Sequence, residues 1–431
     1  MSTLEAPPTA AEAVPLPLAA RPHSLIPLSE HSRDGEQEES AAFRPPFCPN
    51  PCCTLHHGPP QPDSPAPARD ETENKAEPWY SDHGHYHTRV RGLVQRFRCR
   101  HCRRCFSTQS FSTSYYLKAE LPLPLLYLCL VGGMSLRALS RTLGCTPASL
   151  SNRIARLTRQ AITMHRALLA DTTLAEDLCA DGFVDFTVSR YFPDATTLVA
   201  GVDSRMVYAF NHCYLRRRGG MSEQQKRRRA ELEQHYRAPA EGERDSLTGA
   251  LGETLSLSWN RLRPLRLDTD EHPAYLRSVA DLALPFPELS DPERFTHRRT
   301  SSRAARTGAN PLFAVNYLDR QIRLNLASHR RQTVCFGRNT VATLQRTMLL
   351  VCYHNYNKAQ RIVDTARQPP VHAVAAGVPQ GRIERWWRWF FTRRSFFTRA
   401  APTGFLRSLW LQTLETPLNE AAGYLPKHAF A

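Results

Sequence analysis

Two pairs of cysteines constrain this chain more than any other feature of its sequence. Cys48 and Cys53 lie in the segment FCPNPCC, and Cys99 and Cys102 lie in QRFRCRHCRRC. Structural zinc is bound tetrahedrally by four soft, deprotonated ligands, and two short turns from separate parts of a chain supply that geometry. Cys52 adjoins Cys53, so these residues alone leave open which of the two is a ligand. The sequence therefore predicts a small module that folds around a structural Zn²⁺.

The other cysteines indicate a reducing compartment. Seven of the twelve stand singly along the chain, which is typical of a protein with one metal site and not of a disulfide scaffold. Residues 1–20 are apolar but contain four prolines and lack the basic start of a secretory signal. The apolar run 121–133 is shorter than the ~18–20 residues that span a bilayer. We therefore expect no membrane partner.

A large positive charge indicates a polyanionic partner. The 431 residues include 56 Lys and Arg against 40 Asp and Glu, which gives a formal net charge of +16. Nucleic acid is the commonest partner of so basic a chain, although a merely basic soluble protein has the same composition. Arginines, among them Arg98 and Arg100, crowd the second cysteine pair. A metal-stapled module with such a surface is typical of DNA-binding proteins.

A helix-turn-helix pattern follows the cysteine module. In residues 134–161, leucines recur at helical spacing on both sides of a turn, Thr146 can cap the second helix, and Pro147 suits its first position. The second helix is predicted to expose side chains that suit base edges and phosphates: Ser149, Asn152, Arg153 and Arg156. An ordinary helical hairpin has the same pattern, but the neighbouring arginine-rich module favours DNA binding.

Strands and then helices dominate the rest of the chain. Residues 178–215 contain three strand-like segments, and 263–267 is a fourth; 312–326 and 340–357 have helical patterns. This order predicts an α/β (α+β) domain with a mixed sheet. In the tail after residue 369, aromatic residues alternate with arginines. Docking of this tail on the core or on a second subunit is favoured over stacking on unpaired bases.

Three acids stand out from the basic background of the predicted sheet region. Asp181 lies in the first strand, Asp270 ends the later strand, and Asp319 lies early in a helix. Such carboxylates can converge on two Mg²⁺ or Mn²⁺ ions about 4 Å apart, which activate an attacking hydroxyl and stabilise the leaving oxygen in phosphodiester chemistry. An Asp at a strand end is also often a turn residue or a helix cap. Four neighbouring acids are rivals: Asp185, Asp203, Asp268 and Glu271.

The order of these parts resembles bacterial insertion-sequence transposases of the DDE type, in which a zinc ribbon and a helix-turn-helix precede an RNase H-like catalytic domain. The resemblance rests on CPNPCC, RGLVQRFRCRHCRRCFSTQSFS and SLRALSRTLGCTPASLSNRIARL, followed by ADGFVDF, RLDTDEHPAY and NPLFAVNYLD. It implies that Asp181, Asp270 and Asp319 bind the catalytic metals. Asp319 stands where the family usually has the longer Glu, and Glu384 is the fallback. The spacing in the family favours Cys53 as the zinc ligand.

The resemblance also implies a domain organisation and an activity. The expected parts are a disordered segment 1–44, a zinc ribbon 45–115 with a Pro-rich insertion near 58–78, a helix-turn-helix 116–165, an RNase H-like catalytic domain 170–368 with a basic insert near 213–262, and a basic aromatic tail 369–431. The implied activity is two-metal cleavage and strand transfer of DNA at an element's terminal repeats. It implies a homo-oligomer in the bacterial cytoplasm, associated with the nucleoid.

Further DNA contacts are predicted at basic clusters in the insert and after the third acid. They are Arg227, Arg228, His329, Arg330 and Arg331. A solvated charged surface is the competing interpretation of each. Two other functions stay open. One is a non-catalytic zinc-ribbon and helix-turn-helix DNA-binding regulator derived from such an enzyme, and the other is a structure-selective nuclease.

Overall fold

The computed structural model describes residues 43–57, 78–259, 263–301, 303–330, 335–361, 369–419 and 429–430. These residues form three sheets and twelve α-helices, which are numbered below in chain order. Among them, no helix combines the length and the apolar character that crossing a membrane requires.

The N-terminal module is a small antiparallel sheet beside the cysteine-bearing turns. Its strands, in spatial order, are β1 (Tyr80–Thr88), β2 (Gly92–Cys99) and β3 (Cys105–Ser107). Short 3₁₀ helices at Thr54–His56 and Thr108–Phe111 flank the sheet. In β2, Val94, Phe97 and Cys99 are buried, and Phe97 packs with Phe47 and Phe111 in a separate aromatic cluster. The module therefore has a core of its own.

Three helices follow the module: α1 (Leu123–Val131), α2 (Leu136–Thr142) and α3 (Pro147–Ala170). The turn before α3 is left-handed at Gly144, where φ is 61°, a conformation that glycine adopts without strain. The Thr146 hydroxyl accepts the backbone N–H of Ser149 at 3.2 Å, and Pro147 occupies the first turn. The predicted turn and cap are confirmed. However, α3 continues to Ala170 and packs along the core, so it does not end with a small DNA-binding domain at residue 165.

A five-stranded mixed sheet forms the centre of the molecule. Its order is β10 (Phe295–Arg299), β9 (Leu265–Thr269), β5 (Leu178–Phe186), β6 (Pro193–Gly201) and β7 (Val207–Tyr214). β5, β6 and β7 are antiparallel neighbours, whereas β9 is parallel to both β5 and β10. A separate parallel pair joins β4 (Thr173–Leu174) to β8 (Ser258–Trp259). The predicted mixed α/β class is confirmed.

Helices cover both faces of this sheet. They are α4 (Glu223–Glu233), α5 (Gly242–Leu255), α6 (Pro273–Leu282), α7 (Phe313–Asn325) and α8 (Thr340–Tyr356), with 3₁₀ helices at Pro287–Ser290 and Ala327–His329. α5 packs on β6 and β7, where the Ser246 and Thr197 hydroxyls lie 2.8 Å apart. α7 packs on β5 and β6, and α8 packs on α3. α5 lies within the predicted basic insert, but it belongs to the core, with Leu247 and Leu251 fully buried.

The C-terminal region docks on the core, as favoured from the sequence. Its helices are α9 (His372–Ala375), α10 (Gln380–Phe390), α11 (Phe397–Ala400) and α12 (Gly404–Leu411). α10 and α12 pack on α3 and bury Trp387, Phe390 and Trp410. One hydrophobic cluster includes side chains from α1–α3, the large sheet and α10–α12. The predicted boundaries near residues 165 and 369 therefore do not separate independent cores.

Residues 392–399, which we call the strap, join this core to the N-terminal module. The Gln160 side-chain amide of α3 donates to the carbonyl of Arg393 at 2.7 Å. On the module side, the backbone N–H of Arg394 donates to the carbonyl of Phe111 at 2.7 Å, and Phe396 is buried in the aromatic cluster of the module. The strap thus contacts the N-terminal module and α3 of the core at once.

Candidate metal centre and carboxylate site

Four cysteine sulfurs face one another in the N-terminal module. The Sγ atoms of Cys48, Cys53, Cys99 and Cys102 all lie within 4.8 Å of one another, with 3.7 Å between Cys48 and Cys102 and 3.9 Å between Cys53 and Cys99. Zn–S bonds of about 2.3 Å in a tetrahedron place the sulfurs about 3.8 Å apart. The first three residues are buried and Cys102 is half-buried. The number, softness and spacing of these donors fit a zinc ion.

Backbone hydrogen bonds hold the two cysteine turns. The N–H of Cys48 donates to the carbonyl of Leu55 at 3.1 Å, and the N–H of Cys99 donates to that of Arg104 at 3.0 Å. Burial raises the pKa of Cys102, but hydrogen bonds led by the Arg104 backbone outweigh it and bring the pKa to about 7. At this value the thiolate that zinc requires is readily available. Burial raises the pKa of Cys48, and a bound cation favours its thiolate instead.

The structure also decides between the two adjacent cysteines. Cys53 belongs to the four-sulfur group, whereas Cys52 is exposed and points elsewhere. Cys105, the third cysteine of the second cluster, is exposed at the start of β3 and is not part of the group. The module therefore offers one set of four ligands, with Cys53 as the choice that the sequence left open.

The predicted DNA-contacting surfaces differ in exposure. Arg98 and Arg100 are exposed beside the cysteine turns. On α3, Ser149 and Asn152 are half-buried. Arg153 is buried, and its guanidinium donates to the carbonyl of Ala119 at 2.6 Å. The prediction that Arg153 is exposed is wrong, because the segment that links the module to α1 covers this face of the helix.

Arg156 is also drawn into the protein. Its Nη1 donates to the carbonyl of Thr113 at 2.9 Å, and its Nε donates to Asn152 Oδ1 at 3.0 Å. Burial, with the charges of nearby arginines, lowers the pKa of Arg156 to about 9. Two nitrogens of the Arg156 guanidinium are therefore already hydrogen-bonded within the chain. This residue of α3 is less suited to contact base edges than the sequence predicted.

Asp181 lies within electrostatic reach of Asp270, which follows the end of β9. Leu178 pairs with Leu267 and Cys179 with Asp268, so Asp181 and Asp270 each lie two residues beyond the last pair of this parallel register. Burial, followed by the negative charge of Asp270, raises the pKa of Asp181 to about 6. A buried carboxylate whose pKa is raised by a neighbouring acid is a group that a bound cation would stabilise in its ionised form.

Local hydrogen bonds orient both carboxylates. Asp181 Oδ1 accepts the backbone N–H of Gly182 at 2.7 Å and the hydroxyl of Tyr275 at 3.1 Å. Asp270 Oδ1 accepts the backbone N–H of His272 at 2.8 Å, in the turn that begins α6. Asp270 is therefore a turn residue as well as a neighbour of Asp181. Tyr275 was not among the predicted site residues, although it lies in the segment TDEHPAY.

Asp319 lies on the helix that crosses the same face of β5. Side chains alternate between the two faces of a strand, so those of Cys179, Asp181 and Phe183 share one face of β5. Val315 of α7 packs with Cys179, and the guanidinium of Arg323 lies 4.6 Å from the ring centroid of Phe183. Asp319 falls midway between Val315 and Arg323 and one helical turn from each, at the level of Asp181.

The carboxylates are more widely spread than the cysteine sulfurs. Within the described ranges, the four cysteines are the one group of three or more His, Cys, Asp or Glu residues whose ligand atoms all lie within 4.8 Å of one another. The fold therefore brings Asp181 and Asp270 together and sets Asp319 over the same face without gathering all three at that distance.

The other acids considered as metal ligands either have other partners or are exposed. Asp268 is fully buried and accepts two hydrogen bonds from Arg298, at 2.6 and 2.9 Å. Asp203 and Glu271 are exposed. Glu384 is exposed on α10, where it accepts a hydrogen bond from the Gln380 side chain.

The remaining residues that were predicted to contact DNA also differ in exposure. Arg227 and Arg228 are exposed on α4, and Arg228 pairs with Glu231 at 2.8 Å. Arg330 is exposed, and Arg331 lies outside the described residues. His329 is buried, with its Nδ1 2.9 Å from Asp185 Oδ2. The structure therefore does not present His329 on the surface, and the same contact occupies one carboxylate oxygen of Asp185.

No protein-family model matches this chain, and no curated protein and no solved structure matches it either. Function is therefore inferred from the geometry of the described residues. Two features define the class of site: a four-cysteine group suited to a structural metal, and an aspartate, Asp181, whose pKa is raised by burial and by the neighbouring Asp270.

Proposed function

We propose that this protein is a DNA transposase of the DDE type, which cleaves and joins strands with two divalent metal ions. The observation that carries the proposal is the proximity of Asp181, within β5, to Asp270, just after β9, with the pKa of Asp181 raised by burial and by Asp270. Asp319, on the helix above Asp181, is the proposed third ligand. Hard carboxylate oxygens are the donors that Mg²⁺ and Mn²⁺ prefer.

The topology of the large sheet supports an RNase H-like catalytic domain. Three consecutive antiparallel strands, β5 to β7, are extended by β9 and β10, which run parallel to β5, and helices cover both faces. This is the mixed, helix-flanked sheet that the proposal requires. In open sheets of this kind, ligands are bound beyond the carboxyl ends of parallel strands, and Asp270 immediately follows such an end.

The residues divide the chemistry between them. When bound, the two metals activate the attacking hydroxyl and stabilise the leaving oxygen. Asp181 and Asp270 hold negative charge at a fixed separation, and Tyr275 orients the Asp181 carboxylate through its hydroxyl. The cysteine module, with a structural Zn²⁺ and the exposed Arg98 and Arg100, contributes affinity for the DNA backbone. Joining two ends requires two active sites, so the proposed working form is a homo-oligomer.

The test compares Asp181→Asn and Asp270→Asn with a matched control, Asp203→Asn, which changes an exposed acid on the turn between β6 and β7. The substrate is a plasmid that carries the DNA flanking the coding sequence, with Mg²⁺ or Mn²⁺. We expect the wild type and the control to cleave strands and to join the freed 3′ ends to a target. The two site variants should bind the same DNA without cleaving it.

A second function is favoured by one observation, the wider spread of the three carboxylates. On this alternative the protein is a DNA-binding regulator that no longer cleaves. Metal-independent binding with no cleavage by the wild type would establish the regulator and refute the transposase. Cleavage that is never followed by joining would instead indicate a nuclease.

A further inference from the structure

A cavity of about 520 Å³ opens beside the carboxylates. It lies between the loop after β7, the start of α5 and the carboxyl-terminal part of β5. Four arginines contribute to its lining, namely Arg190, Arg216, Arg217 and Arg218, and we call the cavity the arginine groove. One acid, Glu243, also lines it, and its carboxylate lies 3.5 Å from Nδ1 of His272.

The arginines of the groove differ from those of the neighbouring helix. On α4, charged side chains pair with each other: Lys226 with Glu223, Arg228 with Glu231 and Arg229 with Glu233. Across the described part of the chain, no carboxylate lies within 4.0 Å of the four groove guanidinium groups. Four neighbouring cations that share a lining with the single acid Glu243 repel one another, and a polyanion relieves that repulsion.

Parts of the groove are held in place before any ligand arrives. Arg216 Nε donates to the carbonyl of Ala238 at 3.0 Å. The guanidinium of Arg217 lies over the ring of Tyr191, 4.4 Å from its centroid. The backbone carbonyl of Arg217 in turn accepts a hydrogen bond from Arg229 of α4. A fixed guanidinium loses less conformational entropy when it binds an anion, so this arrangement favours binding.

The groove adjoins the carboxylate site. His272 lines the groove, and its backbone N–H donates to Asp270. Val184, which is also in the lining, follows Asp181 by three residues on β5 and so lies on the opposite face of that strand. A ligand that fills the groove therefore lies next to the turn that holds Asp270.

We propose that the arginine groove binds a single strand of DNA, one or two nucleotides long, next to the phosphodiester bond at Asp181 and Asp270. The volume lies within the ~300–1,000 Å³ of pockets that hold one small molecule, which accommodates a nucleotide or two and not a duplex. Sites for single strands combine cationic side chains with aromatic rings, and here the ring of Tyr191 lies under Arg217. This inference rests on the proposed function and assigns the strand to a specific surface.

The experiment measures DNA binding without cleavage, in an Asp181→Asn background. The probes are a fluorescent duplex with a short single-stranded 3′ overhang and the same duplex with a blunt end. Arg190→Ala/Arg218→Ala removes two exposed groove cations, and Arg227→Ala/Arg228→Ala removes two exposed cations from α4 as a matched control. None of these four side chains is buried, so both double variants should fold.

We expect the groove variant to bind the overhang probe about tenfold more weakly and to reduce its salt dependence, as the slope of log K against log salt, by about 1.4, which corresponds to two lost contacts with a single strand. Binding of the blunt probe should not change, and the control should bind both probes as the parent does.

Three results would refute the proposal that the groove binds a single strand: unchanged binding of the overhang probe, equal weakening of both probes, or an equal loss of binding in the control. The outcome is separable from the proposed function. If the overhang result holds but the wild type never cleaves DNA, strand cleavage fails and the groove remains. If the wild type cleaves and joins DNA while the groove variant binds normally, the groove fails and the transposase remains.

Discussion

Replacing Asp181 by Asn should stabilise the folded protein while it abolishes the proposed activity. The pKa of Asp181 is raised from 3.8 to about 6, so the folded protein binds this proton more tightly than the unfolded chain does. Stability therefore falls as the pH rises through the window between these two values. Well above it, the ionised carboxylate destabilises the fold by about 3 kcal/mol. Asn carries no charge, and its Oδ1 can accept the same hydrogen bonds from Gly182 and Tyr275.

Urea unfolding in EDTA measures this difference. The variant should exceed the wild type in free energy of unfolding by about 3 kcal/mol near pH 7.5 and by about 1.5 kcal/mol near pH 5. Added Mg²⁺ should stabilise the wild type and not the variant, because only the wild type gains a cation ligand. A variant that is less stable than the wild type at neutral pH, or a difference that does not change with pH, would refute the reasoning. Asp181 would then be a structural residue.

Three further substitutions test other parts of the structure. Cys53→Ser should lose the bound zinc measured by atomic absorption, whereas Cys52→Ser should retain it, and equal metal content in the two proteins would contradict the assigned ligands. Arg298→Ala should lower the free energy of unfolding by about 3 kcal/mol, because it leaves the buried carboxylate of Asp268 without its bidentate partner; a change within experimental error would show that other groups neutralise that acid. Phe396→Ala should lower the free energy of unfolding by about 3–5 kcal/mol and speed the removal of zinc by a chelator, because it removes the ring through which the strap packs on the module. An unchanged chelation rate would mean that the module is held independently of the strap.

Local chemistry in the sequence predicted local structure well. The spacing of the cysteines predicted a four-sulfur group, and Thr146 and Pro147 predicted the start of α3. Both depend on residues that are neighbours in the chain, or on ligands whose chemistry admits few alternatives. The convergence of Asp181 and Asp270 stays a prediction, to which the parallel pairing of β5 with β9 at Leu178 and Cys179 lends support.

Burial could not be predicted in the same way, because it depends on segments that are distant in sequence. Arg153 suits a DNA-contacting helix by residue type, but the carbonyl of Ala119 occupies its guanidinium. His329 belongs to a basic run, yet Asp185 on a remote strand binds it. The groove arginines were part of a longer basic insert, and only the tertiary structure separates them from the arginines that α4 neutralises itself.

The strap gives the order of synthesis a physical consequence. The cysteine module leaves the ribosome long before the residues that seal its aromatic cluster, among them Phe396. Phe47 and Phe111 of the newborn module therefore stay uncovered until the strap is made. A protein cut short before residue 392 would lose both the strap and α12, which packs on α3, so shortened versions should aggregate through the uncovered apolar surfaces of the module and of α3.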